Sequence, residues 1–262
     1  MLRKRIIGVV TIKQNWVVQS FGYSEYLPVG KVGCVLVNLD RWGVDEILIQ
    51  VIDRSKNKLG PDFELLEQIA SLGLGTPLTY AGGIRTEQEA IDVIKTGADR
   101  ICVDALLHDD PNVIREISYR LGAQAVVASM PVMIKDDKYH WFDYRFGKYM
   151  DISKEVLELL NNGVVSEILL VDAINDGVFD SFNEGILNVI SDSNVPIIVF
   201  GGISRPEMMR RLLLKENVSA VSIGNFLNYT EHSFQTYKDQ LSDMPIRPPV
   251  YLSDYEYRNE SN

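Results

Sequence analysis

Cysteine and histidine are both scarce in this chain of 262 residues, which limits the chemistry that it can carry out. The two cysteines, Cys34 and Cys102, lie far apart and form no Cys-x-x-Cys pair, so neither a disulfide framework nor a zinc site is expected. The three histidines, His108, His140 and His232, are scattered and predict neither a metal site nor a catalytic role. We therefore expect no metal, no cofactor and a location in the reducing cytoplasm.

Basic residues and long apolar runs are also in short supply. The chain has 26 Lys and Arg against 36 Asp and Glu, a formal net charge of −10. Proteins that bind a phosphate backbone need clustered positive charge, so nucleic acid is not an expected partner. The first apolar run, residues 6–10, is soon interrupted by Thr11 and Lys13 and is too short for a signal peptide or a membrane span. No membrane association is expected either.

The most informative feature that is present is an internal repeat. Residues 46–49, Glu-Ile-Leu-Ile, return as Glu-Ile-Leu-Leu at 167–170, and the Gly-Gly-Ile of residues 82–84 returns at 201–203. Both offsets are about 120 residues. A fixed internal period indicates a duplicated architecture, with halves of about 1–121 and 122–244.

Short runs rich in Val, Ile and Leu alternate with amphipathic stretches, as in βα units around a parallel sheet. Together with the repeat, this predicts an α/β fold: an eight-stranded parallel (β/α) TIM barrel with a two-fold internal repeat. The barrel forms one domain over 1–244, and 245–262 is a tail that wraps the outside or is partly disordered. The strands are predicted near residues 5–11, 45–52, 77–81, 99–104, 123–130, 166–172, 196–200 and 219–223.

Two connections, residues 13–30 after the first strand and 131–151 after the fifth, are too long for simple βα loops. They occupy equivalent places in the two halves. The aromatic residues of 138–144 suggest a small hairpin on the rim of the barrel, and a packed surface loop is the alternative.

Alternate residues of a barrel strand point inward, so parity predicts which side chains meet inside. Arg5, Glu46, Arg100 and Glu167 fall at inward positions near the N-terminal ends of four strands. Two cations and two anions would then face one another, where barrels normally hold branched apolar residues. Without further information, four solvated charges at strand starts would be the alternative.

The opposite, C-terminal end of a barrel is where phosphate groups and active sites are found. Glycine turns expose backbone N–H groups that can reach an anion, although tight βα turns need glycine in any case. Asp53, Asp104, Asp172 and Asp176 also lie near strand ends and could form an acid/base set, but helix capping explains each of them equally simply. The candidate ligand residues are Gly82, Gly83, Asp104, Asp176, Gly177, Gly201, Gly202, Gly224 and Asn225.

Residues 1 to about 240 resemble the cyclase subunit family of imidazole glycerol phosphate synthase, a two-fold repeated barrel of histidine biosynthesis. The resemblance implies a glutaminase subunit of the class I amidotransferase type, docked on the N-terminal face. It also implies that ammonia passes a ring of four alternating charges, which Arg5, Glu46, Arg100 and Glu167 match, with Arg100 at a position where Lys is usual. The matching segments are 3–7, 45–47, 82–84, 97–100, 122–127, 167–170, 176–177 and 201–202.

The chemistry of that family depends on two aspartates, which end the first and fifth barrel strands. Those positions are assigned here to Thr11 and Met130, and neither side chain can transfer a proton near neutral pH. Asp104 and Ala105 replace an Asn-Thr pair at one phosphate site, whereas Asp176 and Gly177 are retained at the other. The catalytic residues therefore stay unknown, and a phosphorylated small molecule is a candidate ligand.

Three hypotheses follow from the sequence. The first is a divergent paralogue that pairs with a glutaminase and channels ammonia, for amidation of a surface-polysaccharide sugar by a sugar amidotransferase. The second keeps the cyclase (lyase) activity of histidine biosynthesis with relocated acid/base groups, for example Asp53 or Asp104. The third is a non-catalytic scaffold.

Overall fold

The computed structural model describes residues 3–228 and 233–248, and its core is a closed parallel barrel. The strands are β1 (Arg5–Lys13), β2 (Trp16–Phe21), β3 (Glu25–Lys31), β4 (Glu46–Val51), β5 (Leu78–Ala81), β6 (Arg100–Val103), β7 (Val126–Lys135), β8 (Lys138–Asp143), β9 (Lys148–Asp151), β10 (Glu167–Asp172), β11 (Ile197–Phe200) and β12 (Val218–Ile223). In the barrel, β1, β4, β5, β6, β7, β10, β11 and β12 pair in that order, and β12 pairs with β1 to close it. The predicted eight-stranded barrel is confirmed.

The other four strands build hairpins at equivalent places in the two halves. β1 runs on past the barrel and pairs antiparallel with β2, which pairs with β3. β7 likewise runs on and pairs with β8, which pairs with β9. We call β2 and β3 the first hairpin, and β8 and β9 the second hairpin. The small hairpin predicted within 131–151 is present, and the segment 13–30 forms a hairpin as well.

The described helices surround the barrel, and local sequence signals explain their ends. Thr86 and Glu89 form a capping box, and Asp110 caps a helix that begins at Pro111. After β10 the connection is a 3₁₀ helix, Glu184–Ile190, instead of an α-helix. The α-helices are α1 (Val32–Arg41), α2 (Ile52–Lys56), α3 (Phe63–Ala70), α4 (Glu87–Thr96), α5 (Leu106–Asp109), α6 (Pro111–Leu121), α7 (Lys154–Asn161), α8 (Pro206–Leu213) and α9 (Ser233–Gln240).

The alternation of side chains along the strands divides the apolar residues into two clusters. The larger lies between the barrel and its helices, for example Ile6, Ile47 and Leu170. The smaller fills the barrel itself, for example Ile7, Leu48 and Leu169. Neighbouring residues of one strand thus face opposite sides of the sheet, as the predicted parity requires.

The chain leaves the barrel beside its first strand. Pro245 accepts a hydrogen bond from the backbone N–H of Lys4 (3.0 Å), and the buried Ile246 pairs with Lys4. The rest of the predicted tail, residues 249–262, lies outside the described residues, as does His232. None of the helices in the described part is long and apolar enough to cross a bilayer.

Candidate functional site

Four charged side chains meet inside the N-terminal end of the barrel, and we call them the charge ring: Arg5, Glu46, Arg100 and Glu167. Arg5 Nη1 lies 2.8 Å from Glu46 Oε2, and Arg5 Nη2 contacts Glu167 Oε1. Arg100 Nη1 lies 2.8 Å from Glu167 Oε2 and 3.4 Å from Glu46 Oε1. Each cation therefore contacts both anions, and the ring closes across the barrel.

Hydroxyl groups of neighbouring strands support the charge ring. Thr79 Oγ1 donates to Glu46 Oε1 at 2.6 Å, Ser219 Oγ donates to Glu167, and Arg100 Nη2 donates to Ser166 Oγ at 2.7 Å. The four charged side chains retain only 4 to 16% of their surface exposure. They are paired and largely buried, so they are not solvated charges at strand starts. Burial on this scale is costly unless the charges are paired. Each of the four has ion-pair partners, whereas Arg100 Nε is buried without a hydrogen-bond partner among the described residues.

Apolar side chains fill the middle of the barrel between the charge ring and the C-terminal mouth. Leu48, Leu169 and Ile198 are fully buried there, in the smaller apolar cluster. These three side chains offer no hydrogen bonds to an ion, so this part of the barrel disfavours a charge.

The two hairpins meet over the C-terminal mouth of the barrel. The ring of Tyr23, in the turn of the first hairpin, lies 6.3 Å from that of Phe142 and 6.2 Å from that of Tyr144, which belong to the second hairpin and its turn. We call Tyr23, Phe142 and Tyr144 the aromatic roof. Because its members come from both halves of the chain, the roof ties the two hairpins together.

Beneath the aromatic roof lies a cavity on the first-half side of the mouth. Its walls include Gln50, Ser129, Pro131 and the Gly82-Gly83 turn. The space that water can occupy is about 50 Å³, enough for a few molecules at the ~10–15 Å³ that each needs.

Asp104 supplies a carboxylate to this cavity. Burial raises the pKa of Asp104 to about 6, although the backbone N–H of Ala105 and the charge of Arg145 favour its ionised form. Arg145 is already held by two other acids: its Nε lies 3.0 Å from Asp143 Oδ1, and its Nη1 lies 2.5 Å from Asp109 Oδ2. The surroundings of Asp104 therefore carry net negative charge, which disfavours a phosphate group there.

We predict that Asp104→Asn makes the protein more stable at pH 8 and leaves its stability unchanged near pH 4. The folded-state pKa of about 6 lies above the unfolded value of about 4. The folded state therefore binds the extra proton, and stability falls as the pH rises between these values. Above them the buried charge costs about 3 kcal/mol. Thermal unfolding across this pH range measures the difference, with the exposed Asp136→Asn as a control; an equal gain at both pH values would contradict it.

The ligand residues predicted for the second half are occupied by the first hairpin. Ser20 Oγ donates to Asp176 Oδ2 at 2.6 Å, and the backbone N–H of Ser20 donates to Asn225 Oδ1 at 3.0 Å. A Cβ atom at Gly177, whose φ is +80°, would lie 2.5 Å from the carbonyl oxygen of Ser20. A phosphate at these residues would have to displace the hairpin. Burial also raises the pKa of Asp176 to about 6.

The paired glycine turns hold close backbone approaches in both halves. A Cβ atom at Gly83 would lie 2.6 Å from the carbonyl oxygen of Gly60, and one at Gly201 would lie 2.5 Å from that of Asp172. Gly202 accepts a hydrogen bond from the Ser181 N–H at 2.9 Å. These contacts explain the glycines as packing requirements, and their proposed role in ligand binding stays a prediction. Gly224 packs close to Phe200.

Two of the remaining aspartates have structural partners. Asp172 accepts hydrogen bonds from Asn175 Nδ2 and from the backbone N–H of Asn183, both at 2.7 Å. Asp53 accepts one from the backbone N–H of Gln14 at 3.0 Å. Neither lines the cavity. Across the described residues, no group of three or more His, Cys, Asp or Glu side chains is arranged to hold a metal ion.

Comparison with known proteins agrees with this arrangement. The family model described as "Histidine biosynthesis protein" matches residues 5–233. The chain belongs to this family. A protein of Vibrio vulnificus strain YJ016, named as imidazole glycerol phosphate synthase subunit hisF2, is 30% identical over 99% of this chain and 95% of its own length. A Campylobacter jejuni protein of the same name is 28% identical over 86% of each chain. The imidazole glycerol phosphate synthase subunit HisF of Leptospira biflexa is 26% identical over 94% of this chain and 98% of its own.

The assignment of Met130 to a catalytic position of the histidine biosynthesis family needs correction. Met130 is fully buried in the cluster outside the barrel, whereas Ser129 and Pro131 on either side of it line the cavity. Strand parity explains this, because Val127 faces the interior and every second residue follows it. The chemical conclusion is unchanged, since neither Ser129 nor Pro131 can act as a general acid or base at neutral pH. Thr11 is buried beside Gly224 and Asn225.

The sequence does not predict several residues that line the cavity. Tyr23 and Tyr144 lie in turns, and no local pattern signals that they meet. Gln50 lies on β4 and lines the cavity, and it is not among the candidate ligand residues. The buried carbonyl oxygen of its amide has no hydrogen-bond partner among the described residues. The one sequence signal for a ligand role of Gln50 is its amide, which stands among apolar residues of a buried strand.

Proposed function

We propose that this member of the histidine biosynthesis family pairs with a glutaminase subunit and conducts ammonia through its barrel. The observation that carries the proposal is the charge ring, which spans the N-terminal end and has each arginine in contact with both glutamates. Two arginines and two glutamates stand where barrels normally hold branched apolar residues. Stability alone does not explain them, because apolar side chains of similar volume would stabilise the barrel at least as well. A controlled entrance for ammonia supplies a reason.

The interior supports passage of ammonia in its neutral form. Above the charge ring, the apolar middle of the barrel disfavours ions and excludes bulk water. At the far end the cavity beneath the aromatic roof receives what has crossed. The order of the three layers therefore suits transport from the N-terminal face to the C-terminal face.

The C-terminal end argues against the standard cyclase. The pair of acids that the cyclase needs is replaced by Thr11 on one strand and by Ser129 and Pro131 on the other. Loss of one such group typically slows a reaction by about 10²–10⁴-fold. Three candidate ligand residues of the second half, Asp176, Gly177 and Asn225, are also in contact with the first hairpin. Cyclase activity is the second candidate function, because relatives of this chain are named HisF. Asp104 would then be its acid/base group.

We propose amidation of a surface-polysaccharide sugar as the use of the ammonia, with a sugar amidotransferase as the acceptor enzyme. Its docking would take place at the C-terminal face, where the cavity opens. Exposed apolar side chains gather on the loop after β10, namely Ile174, Val178 and Phe179. Exposed apolar side chains grouped in this way are typical of protein interaction surfaces.

A growth test separates the hypotheses. The gene is introduced into a bacterium that needs histidine because it lacks its cyclase subunit. We expect no growth without histidine, although the protein is expressed and can be purified together with its glutaminase subunit. Growth at the rate given by a true cyclase would overturn the proposal in favour of the second candidate. Failure to bind any glutaminase would favour the scaffold.

A further inference from the structure

The cavity beneath the aromatic roof contains a negatively charged side chain that the packing of the barrel does not require. Asp104 is the one charged side chain among the described residues that line it. Arg145 acts on Asp104 through its charge, but it forms its ion pairs with Asp109 and Asp143. A ligand that enters this space meets a carboxylate without a neutralising partner.

Gln50 provides a second, independent indication of a ligand. It lines the cavity with 8% of its surface exposed, and its carbonyl oxygen is buried without a hydrogen-bond partner in the described part of the chain. An unpaired acceptor of this kind costs about 1–3 kcal/mol, so sites that keep one usually satisfy it with a bound molecule.

The walls and the size of the cavity restrict the ligand further. The roof residues Tyr23 and Tyr144 present aromatic rings, which attract cations. Burial raises the pKa of Tyr144 well above its usual value, so its hydroxyl stays neutral and can also accept a hydrogen bond. The room for water is about 50 Å³, so the cavity can hold a small ion together with a few water molecules.

We propose that this cavity is a binding site for the ammonium ion, with Asp104 and Gln50 as its ligands and the aromatic roof above it. The site rests on the proposed function for the source of its ammonia and adds a holding position at the exit of the barrel. Neutral ammonia crosses the apolar layer and takes the proton of the neutral Asp104 carboxyl, which leaves an ammonium ion beside a carboxylate. The carboxylate takes the same proton back before ammonia leaves as the nucleophile. An ammonium ion donates four hydrogen bonds, which matches a site built from acceptors.

Binding is tested with the full chain alone, without glutaminase or acceptor enzyme. ¹⁵N-labelled ammonium chloride is added at constant ionic strength, and NMR follows the slowing of proton exchange on the bound ion. We expect saturable binding to the wild type. Asp104→Asn and Gln50→Met should each weaken it by about tenfold or more, the change expected when a hydrogen bond to a charged group is lost. Thermal unfolding verifies that both variants are folded, and Asp136→Asn serves as the matched control.

Two outcomes would overturn the proposal. One is ammonium binding that is absent from the wild type or unchanged in both variants. The other is equal binding of potassium, measured by competition, because the site would then select for charge alone. The test involves neither the charge ring nor a partner, so its failure can be told apart from failure of the conduit. If the protein binds ammonium but does not channel ammonia, the binding site is supported and the barrel is not the source of its ammonia.

Discussion

Replacement of Glu46 by alanine is expected to uncouple glutamine hydrolysis from ammonia delivery. Glu46 contacts both arginines of the charge ring and accepts a hydrogen bond from Thr79. Without it, Arg5 and Arg100 each lose one of two ion pairs, and the entrance stays open to water. Ammonia released by the glutaminase can then escape, and the advantage of confined delivery over bulk solution, on the order of tenfold or more, is lost.

The measurement is the amount of amidated product formed per glutamine hydrolysed, in the complex with the glutaminase and the acceptor enzyme. We expect this ratio to fall about tenfold in the Glu46→Ala variant, while the reaction supplied with ammonium chloride is unchanged. Glu46→Gln keeps the size of the side chain and removes its charge, so it should show the same defect if folding of the alanine variant is poor. Arg120→Ala alters an exposed pair on a flanking helix and is the control. An unaltered ratio in both Glu46 variants would remove the charge ring from the transport path.

The second large effect concerns a buried ion pair close to the same face. Lys238 of α9 retains 1% side-chain exposure, and its Nζ lies 2.7 Å from Asp45 Oδ1 and 2.8 Å from the carbonyl oxygen of Gly43. Asp45 also accepts a hydrogen bond from the backbone N–H of Ile6 at 2.8 Å. Burial raises the pKa of Asp45 even though Lys238 opposes the change. This pair holds α9 against the start of the barrel.

We expect Lys238→Met to lower the free energy of unfolding by about 3–5 kcal/mol, because it leaves the Asp45 carboxylate buried without a counter-charge. The melting temperature should fall by roughly 10 °C for a chain of this size. Unfolding by urea and by heat measures both values, and the double variant with Asp45→Asn should recover part of the loss. Lys215→Ala breaks a partly exposed pair with Glu184 and should cost less than about 1 kcal/mol. A similar small loss in Lys238→Met would contradict this account of the pair.

The fold could be predicted because its signals are local or periodic. Most barrel strands are rich in Val, Ile and Leu, and period-2 alternation predicts that Glu46 and Glu167 lie inside the barrel. The bounds of β7 differ from those of the predicted strand, 123–130. Residues 123–125 form a 3₁₀ turn, and the strand begins at Val126 and runs on to Lys135. Parity counted from Val127 predicts that Ser129 and Pro131, and not Met130, face the barrel interior.

The arrangement of the C-terminal mouth could not be predicted from the sequence. It depends on packing between Tyr23 and Tyr144, which are separated by about 120 residues, and on the docking of Ser20 against Asp176 and Asn225. Neither contact has a local pattern, because each joins two loops whose positions are set by the whole barrel. The sequence repeat suggested two equivalent ligand sites. In the structure, one half has an open cavity and the other half is filled by a hairpin.

The central claim is that ammonia travels inside the barrel, and an isotope competition tests it most directly. The complete assembly is supplied with glutamine labelled with ¹⁵N in its side-chain amide, while the buffer contains an excess of unlabelled ammonium chloride. Mass spectrometry then gives the fraction of ¹⁵N in the amidated product. We expect most of the product to carry ¹⁵N, because confined ammonia does not mix with the buffer. A product with the isotope ratio of the buffer would contradict the account.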